Sequence, residues 1–202
     1  MKKMSKKKSI TKIGIDLDNT IVDYDESYIQ ISKSLKLEFL TPRRETIKDF
    51  LQNSPKGDHA WQEFQSILYT SGLEYAQVAD GLFEFLNLCN TKKIEIFIIS
   101  HKTKTTPEEF GGADLRIPAI NWLNTHKITP LKIKPENIFF CETQLIKIET
   151  INQLEVDMFI DDLEEVINHA KLNKNVQGVL YSKGPKLNSI NSFHDLTEGL
   201  SN

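Results

Sequence analysis

The sequence predicts an α/β protein: a doubly wound, Rossmann-like parallel sheet of about five strands with a small α-helical insertion. Three observations carry this. Apolar, β-branched runs at Ile13–Ile15, Ile94–Ile99 and Val156–Ile160 read as strands buried on both faces, as in parallel sheets covered by helices. Amphipathic helical segments alternate with these runs, the order expected of a parallel sheet with crossover helices. Between the first run and the next, about fifty residues carry helical periodicity of their own, which is long for a simple connection.

In chain order, the first strand ends in Asp16-Leu17-Asp18-Asn19-Thr20, where Asn-Thr is turn chemistry and Asn tolerates left-handed backbone geometry. Tyr24 to Leu40 is amphipathic, with Tyr28, Ile31 and Leu35 on one side. Thr41-Pro42 punctuates it, and Thr46 to Leu51 makes a short second helix. Asn53 to Gly57 is a loop, after which Asp58 reads as the N-cap of a third helix with Trp61, Phe64, Ile67 and Leu68 as its apolar stripe. Ser71-Gly72 stops it.

Val78 to Asn90 is a further amphipathic helix, leading into the Ile94–Ser100 strand. A loop rich in Lys, Thr and Gly follows, from His101 to Gly112. Ala113 to His126 reads as a helix whose start Pro118 delays or kinks. Asn137 to Cys141 is a third strand and Glu142 to Leu154 a helix with Leu145, Ile148, Ile151 and Leu154 in phase. Val156 to Asp162 is a fourth strand, Glu164 to Leu172 a helix, and Val176 to Tyr181 a fifth strand; a terminal helix begins at Ser192. The domain reading is a basic disordered tail over 1–8, a core over 9–23 and 78–202, and a helical insertion over 24–77.

At 202 residues the chain can bury a substantial core, and its composition, 39% hydrophobic and 26% charged, is that of an ordinary soluble protein. A formal net charge of −3 argues against general nucleic-acid binding. Two cysteines, Cys89 and Cys141, read as buried reduced thiols, which fits the cytoplasm. No apolar run approaches membrane-spanning length, and the basic N-terminus lacks the apolar stretch of a signal peptide. Neither nucleic acid nor a membrane is an expected partner.

Three strands end in chemically useful groups: Asp16 and Asp18, Ser100, and Asp161 with Asp162. A parallel sheet brings all such ends to one edge, where open α/β folds place their chemistry. At this point the sequence resembles the haloacid-dehalogenase-like (HAD) superfamily of aspartate-nucleophile phosphatases. Asp16 to Thr20 looks like that family's first motif and Ser100 its second. Lys147 looks like the third, and Phe159-Ile160-Asp161-Asp162 the acidic fourth. The helical insertion sits where the family carries a cap of its first type, and the resemblance, with so small a cap, implies a small phosphorylated substrate. Asn19 stands where many relatives have Gly, and the fourth motif lacks the usual Gly-Asp start with a later acid.

The groups allow a two-step displacement. Asp16 can attack phosphorus, forming an aspartyl-phosphate, and Asp18 can serve as acid to the leaving oxygen and then as base for water. Carboxylates without a His/Cys cluster suit Mg²⁺, and by resemblance its ligands would be Asp16, the backbone carbonyl of Asp18, and Asp162 or Asp161. Ser100 would donate to a phosphoryl oxygen and Lys147 would balance charge, with Lys132 and Lys134 as rivals for that role. His101, Lys102 and Lys104 read either as an anion grip or as a solvated basic loop. The alternatives from other classes are a receiver-type phospho-accepting signalling domain, which gathers similar residues, and a non-catalytic binding protein that retains the fold.

Overall fold

The computed structural model describes residues 9–39, 41–184 and 188–201, so the tail expected over 1–8 lies outside the described residues. In chain order the strands and α-helices are β1 (Lys12–Ile15), β2 (Val22–Asp23), α1 (Asp25–Ser34), α2 (Arg44–Gln52), α3 (Asp58–Leu68), β3 (Gln77–Val78), α4 (Leu82–Thr91), β4 (Glu95–His101), α5 (Arg116–Thr125), β5 (Ile138–Cys141), α6 (Gln144–Gln153), β6 (Met158–Asp161), α7 (Glu164–Ile167), β7 (Gln177–Tyr181), β8 (Ser189–Ile190) and α8 (Phe193–Ser201). Six strands form one sheet in the order β5-β4-β1-β6-β7-β8, with every neighbouring pair parallel. The Rossmann-like class is as expected, with one strand more than the five anticipated; Ser189–Ile190 is too short to announce itself by pattern.

Strand order reverses at β1, which places its carboxyl end at the switch point where such sheets bind ligands. Side chains alternate across the sheet with period two. Ile13, Ile15, Ile96, Ile98, Met158 and Ile160 pack with α4, α5 and α8 on one face. Phe97, Ile99 and Phe159 pack with Ile148 and Ile151 of α6 and Val166 of α7 on the other. Gly14 lies on this second face, where a Cβ would stand 2.7 Å from the Phe159 ring and 3.2 Å from Ile99 Cδ1. Close packing there leaves no room for a side chain, which explains the break in an otherwise apolar strand.

Helices α1 to α3 follow β1 and pack through aromatic rings. Tyr28 stacks on Phe64 and Phe64 on Trp61, with centroids 6.2 and 5.9 Å apart. Their buried residues are continuous with the first sheet face. A small antiparallel ribbon that the pattern did not signal pairs Val22 with Val78 and Asp23 with Gln77 at the two ends of this helical segment. Among the described residues no helix is long and apolar enough to cross a membrane. Cys89 and Cys141 are free and buried, and burial pushes the Cys89 thiol up to about 12.

Several element boundaries differ from the sequence reading. Helix α1 stops at Ser34, because Lys36 turns into the left-handed region at φ 55°, and Leu35 is left exposed. Gly57, at φ 54°, caps α3, while Asp58 is its first residue and accepts a hydrogen bond from Gln52 Nε2. Helix α4 starts only at Leu82, since Val78 belongs to the ribbon and Gly81 is left-handed at φ 74°. Helix α5 starts at Arg116, its first amides held by Asp114 Oδ1 at 2.7 and 2.8 Å, with Pro118 harmless in the first turn. Leu145, expected inside, is exposed, and the helix after β6 ends at Ile167 rather than Leu172.

The two glycine environments give opposite expectations. Gly14→Ala should lower stability by about 1–3 kcal/mol through overpacking against Phe159. Gly199→Ala in α8, where an added Cβ meets nothing within 4 Å, should raise it by about 0.5–1 kcal/mol. Urea unfolding of the two variants beside the parent chain checks both signs.

Candidate active site

Parity explains how the site is assembled. Asp16 follows Ile15 on the same side of the sheet as Gly14, and Asp161 lies on the same side as Phe159, so both carboxylates face α6. Helix α6, capped by Thr143 Oγ1 on the Ile146 amide, presents Ile148 and Ile151 to that face and Lys147 beside them. Lys147 Nζ lies 2.5 Å from Asp16 Oδ1 and 2.6 Å from Asp161 Oδ2. All three residues are buried, Asp16 4% exposed, Lys147 2% and Asp161 0%. The rival lysines, Lys132 and Lys134, are exposed.

Asp162, the next residue along, instead faces Arg44 of α2, whose Nη1 stands 3.9 Å from its Oδ2. Carboxylate oxygens of Asp16, Asp161 and Asp162 lie within 4.8 Å of one another. Burial pushes the Asp16 carboxyl well above the usual range; Lys147 opposes this, while Asp161, Asp162 and Asp18 add to it. Burial and the neighbouring Asp161 likewise push Asp162 up to about 7. For Lys147, burial favours the neutral amine, but Asp16 and Asp161 outweigh it and hold the group protonated. The Asp16, Asp161 and Asp162 oxygens together form an all-oxygen donor set, which fits a hard divalent cation.

Asp161 is the more committed of the two adjacent acids. Its Oδ1 accepts from the Leu163 amide at 2.9 Å and its Oδ2 faces Lys147. Ser100, at the end of β4, is 1% exposed, and its hydroxyl has no partner among the described residues. A buried hydroxyl without a partner is costly, and one that lines a cleft beside a lysine suits an anionic oxygen. The turn after β1 has the geometry expected of it: Asn19 sits at φ 59° and takes a hydrogen bond from Tyr28 OH.

Lys102 departs from the solvated-loop reading. It is 3% exposed, and its Nζ lies 2.8 Å from Asp18 Oδ2 and 4.2 Å from the centre of the Tyr69 ring. Tyr24 OH donates to the other oxygen, Asp18 Oδ1, at 2.7 Å. His101 and Lys104 are exposed, as a solvated loop requires. Arg44, Tyr24 and Tyr69 are thus site residues that sequence reasoning missed, whereas Lys102, left open between an anion grip and a solvated loop, is a buried partner of Asp18.

Two cavities meet at Asn19, Arg44 and Asp162. One of about 480 Å³ holds Asp16, Asp18, Ser100 and Lys147 at its floor, with Gln62, Gln65 and Tyr69 on the insertion side. The other, about 580 Å³, is larger but lacks Asp16 and Ser100; it is lined by Tyr28, Tyr181, Lys183 and the exposed Glu164 and Glu165. Asp16, Ser100 and Lys147 belong to the smaller.

No protein-family model matches this chain, and neither does any curated protein sequence. Solved structures do. A predicted phosphatase from Clostridium acetobutylicum superposes with a TM-score of 0.63 at 14% identity, over 96% of this chain and 99% of that one. A HAD-superfamily hydrolase from Ehrlichia chaffeensis gives 0.58 at 14% identity, over 96% and 98%. A HAD family hydrolase from Deinococcus radiodurans R1, with bound phosphate and sodium, gives 0.59 at 15% identity over 95% of each chain. These likenesses establish a shared fold: the chain has the architecture of HAD-superfamily hydrolases along almost its whole length.

The ion triad generates a stability prediction. Lys147→Met leaves Asp16 and Asp161 buried without their cation, which should cost about 3–5 kcal/mol at pH 7. Asp16 already holds its proton more tightly folded than unfolded, so the folded state binds more protons and stability falls as pH rises through the carboxylate range. The deficit of the variant should therefore shrink between pH 7 and pH 5, which urea titrations at the two pH values would measure.

Proposed function

We propose that the protein is a Mg²⁺-dependent phosphatase that hydrolyses a small phosphomonoester through an aspartyl-phosphate. The observation that carries this is the convergence of Asp16, Ser100 and Lys147 in one cleft, with carboxylate oxygens of Asp161 and Asp162 within 4.8 Å of one on Asp16. Asp16, Asp162 and the backbone carbonyl of Asp18 would hold Mg²⁺, with Asp161 tied to Lys147. When bound, the ion supplies positive charge that lets an anionic nucleophile approach an anionic phosphate.

The chain's own groups then divide the work. An oxygen of Asp16 bonds to phosphorus as the ester P–O bond breaks, and Asp18 gives its proton to the leaving oxygen. Ser100 and Lys147 bind the phosphoryl oxygens. Water next attacks phosphorus, Asp18 takes its proton, and the Asp16–phosphorus bond breaks to release inorganic phosphate. Residues 24–77 serve as a cap. The ribbon at residues 22–23 and 77–78 brackets that segment, and Gln62, Gln65 and Tyr69 bring it to the cleft, in support of this reading. Three helices directly after β1 count against a receiver-type domain.

Hydrolysis of para-nitrophenyl phosphate should disappear with a chelator and return with Mg²⁺. Mg²⁺ should also raise the melting temperature of the parent chain and do so much less in Asp162→Asn. Full activity in metal-free protein would exclude the proposed role of the cation.

The two aspartates should separate in their variants. Asp16→Asn should abolish turnover and leave no phosphorylated protein. Asp18→Asn should lose about 10²–10⁴-fold in rate, the usual worth of a general acid/base, and accumulate phosphate on Asp16 with an activated ester. Intact-mass analysis and peptide mapping read both results.

A further inference from the structure

We propose that Lys102 and Tyr24 are positioning residues that clamp the Asp18 carboxylate, one from the loop after β4 and one from the start of the insertion. The inference rests on the reading of Asp18 as acid and base. Both oxygens of Asp18 are engaged, Oδ1 by the Tyr24 hydroxyl at 2.7 Å and Oδ2 by Lys102 Nζ at 2.8 Å. Each oxygen keeps a second lone pair, so the clamp fixes the carboxylate without closing it to a leaving group or to water.

The clamp is built into the fold. Lys102 Nζ is almost wholly buried, a costly place for an ammonium unless it is paired, and the Asp18 carboxylate and the face of Tyr69 supply the pairing. Its backbone is held on both sides: the Lys102 amide donates to the Cys141 carbonyl at 2.9 Å, and the Lys102 carbonyl accepts from Arg116 Nη2 at 3.1 Å and Nε at 3.3 Å. On the other side, Tyr24 lies at the N-terminus of α1, is 1% exposed, and meets Tyr69 edge-on with centroids 5.8 Å apart. Asp18 is therefore held between the core and the insertion, and its alignment depends on the insertion being seated. A displacement of about 1 Å at a catalytic group is enough to cost about 10²-fold in rate.

The test is a double-mutant cycle with para-nitrophenyl phosphate, read by steady-state rate and by the phosphorylated fraction in intact-mass spectra. Lys102→Met should lower turnover about 10²-fold and accumulate phosphate on Asp16 although Asp18 is intact, and Lys102→Arg should recover part of the rate. In an Asp18→Asn background, Lys102→Met should add less than about threefold, because a residue acting through Asp18 has nothing left to position. Additive losses, or unchanged turnover in Lys102→Met, would overturn the clamp.

If Lys102→Met does not fold, Tyr24→Phe, which removes a single hydroxyl, reads the same cycle. A partial loss that vanishes in the Asp18→Asn background supports the clamp, and parent-like turnover refutes it. Should Asp18→Asn itself turn over normally, the acid/base reading and the clamp fall together. Should Asp18→Asn behave as expected while the Lys102 and Tyr24 variants do not, the clamp alone fails.

Discussion

The ammonium of Lys147, seated between Asp16 and Asp161, is the interaction on which the rest of the site depends. Two carboxylates side by side at the ends of central strands would repel one another and resist burial. A cation delivered from α6 lets the sheet close over them, and the parity of β1 and β6 decides which acids it meets. Asp162, one residue out of phase, is left for the insertion side and Arg44. The same alternation that packs Phe159 against Ile148 thus sorts the three acids, pairing Asp16 and Asp161 with the lysine and leaving Asp162 on the side of Arg44.

Much of this was legible before any coordinates. The β-branched runs around Ile13, Ile96 and Ile160 have the composition of doubly covered strands, and their polar ends fall on one sheet edge for topological reasons alone. Lys147 was singled out only by the family resemblance, with Lys132 and Lys134 as rivals, and Asn19 by the backbone freedom that its turn requires. What escaped were contacts set by tertiary structure. Lys102 follows a strand in a loop full of Lys and Thr, where solvation is the ordinary outcome. It is buried because Tyr69, from a distant helix, covers it. Arg44 and Tyr24 reach the site for the same reason: the insertion folds back over the strand end from which it leaves. Two-residue pairings such as Val22 with Val78 carry no period for a pattern to detect.

The two sides of the cleft contribute different chemistry. The sheet edge provides the paired charges, held by backbone that the strands leave little freedom to move. The insertion provides Tyr24, Arg44 and Tyr69, together with the amides of Gln62 and Gln65. Groups fixed on strand ends are held more precisely than groups on surrounding helices and loops, so the two sides of the cleft differ in rigidity as well as in chemistry.

The apolar cluster that runs unbroken from Ile13 and Ile15 through Ile21 and Tyr24 to Phe64 and Trp61 has a bearing on how such proteins diversify. An insertion with its own sealed interior could be exchanged like a module. Here the helices share buried surface with the sheet, so replacing them wholesale would strip the strand face of its cover. Exchanging the helices as a block would therefore disturb the packing of the sheet itself, whereas single changes on the cleft-facing surface leave the shared interior intact.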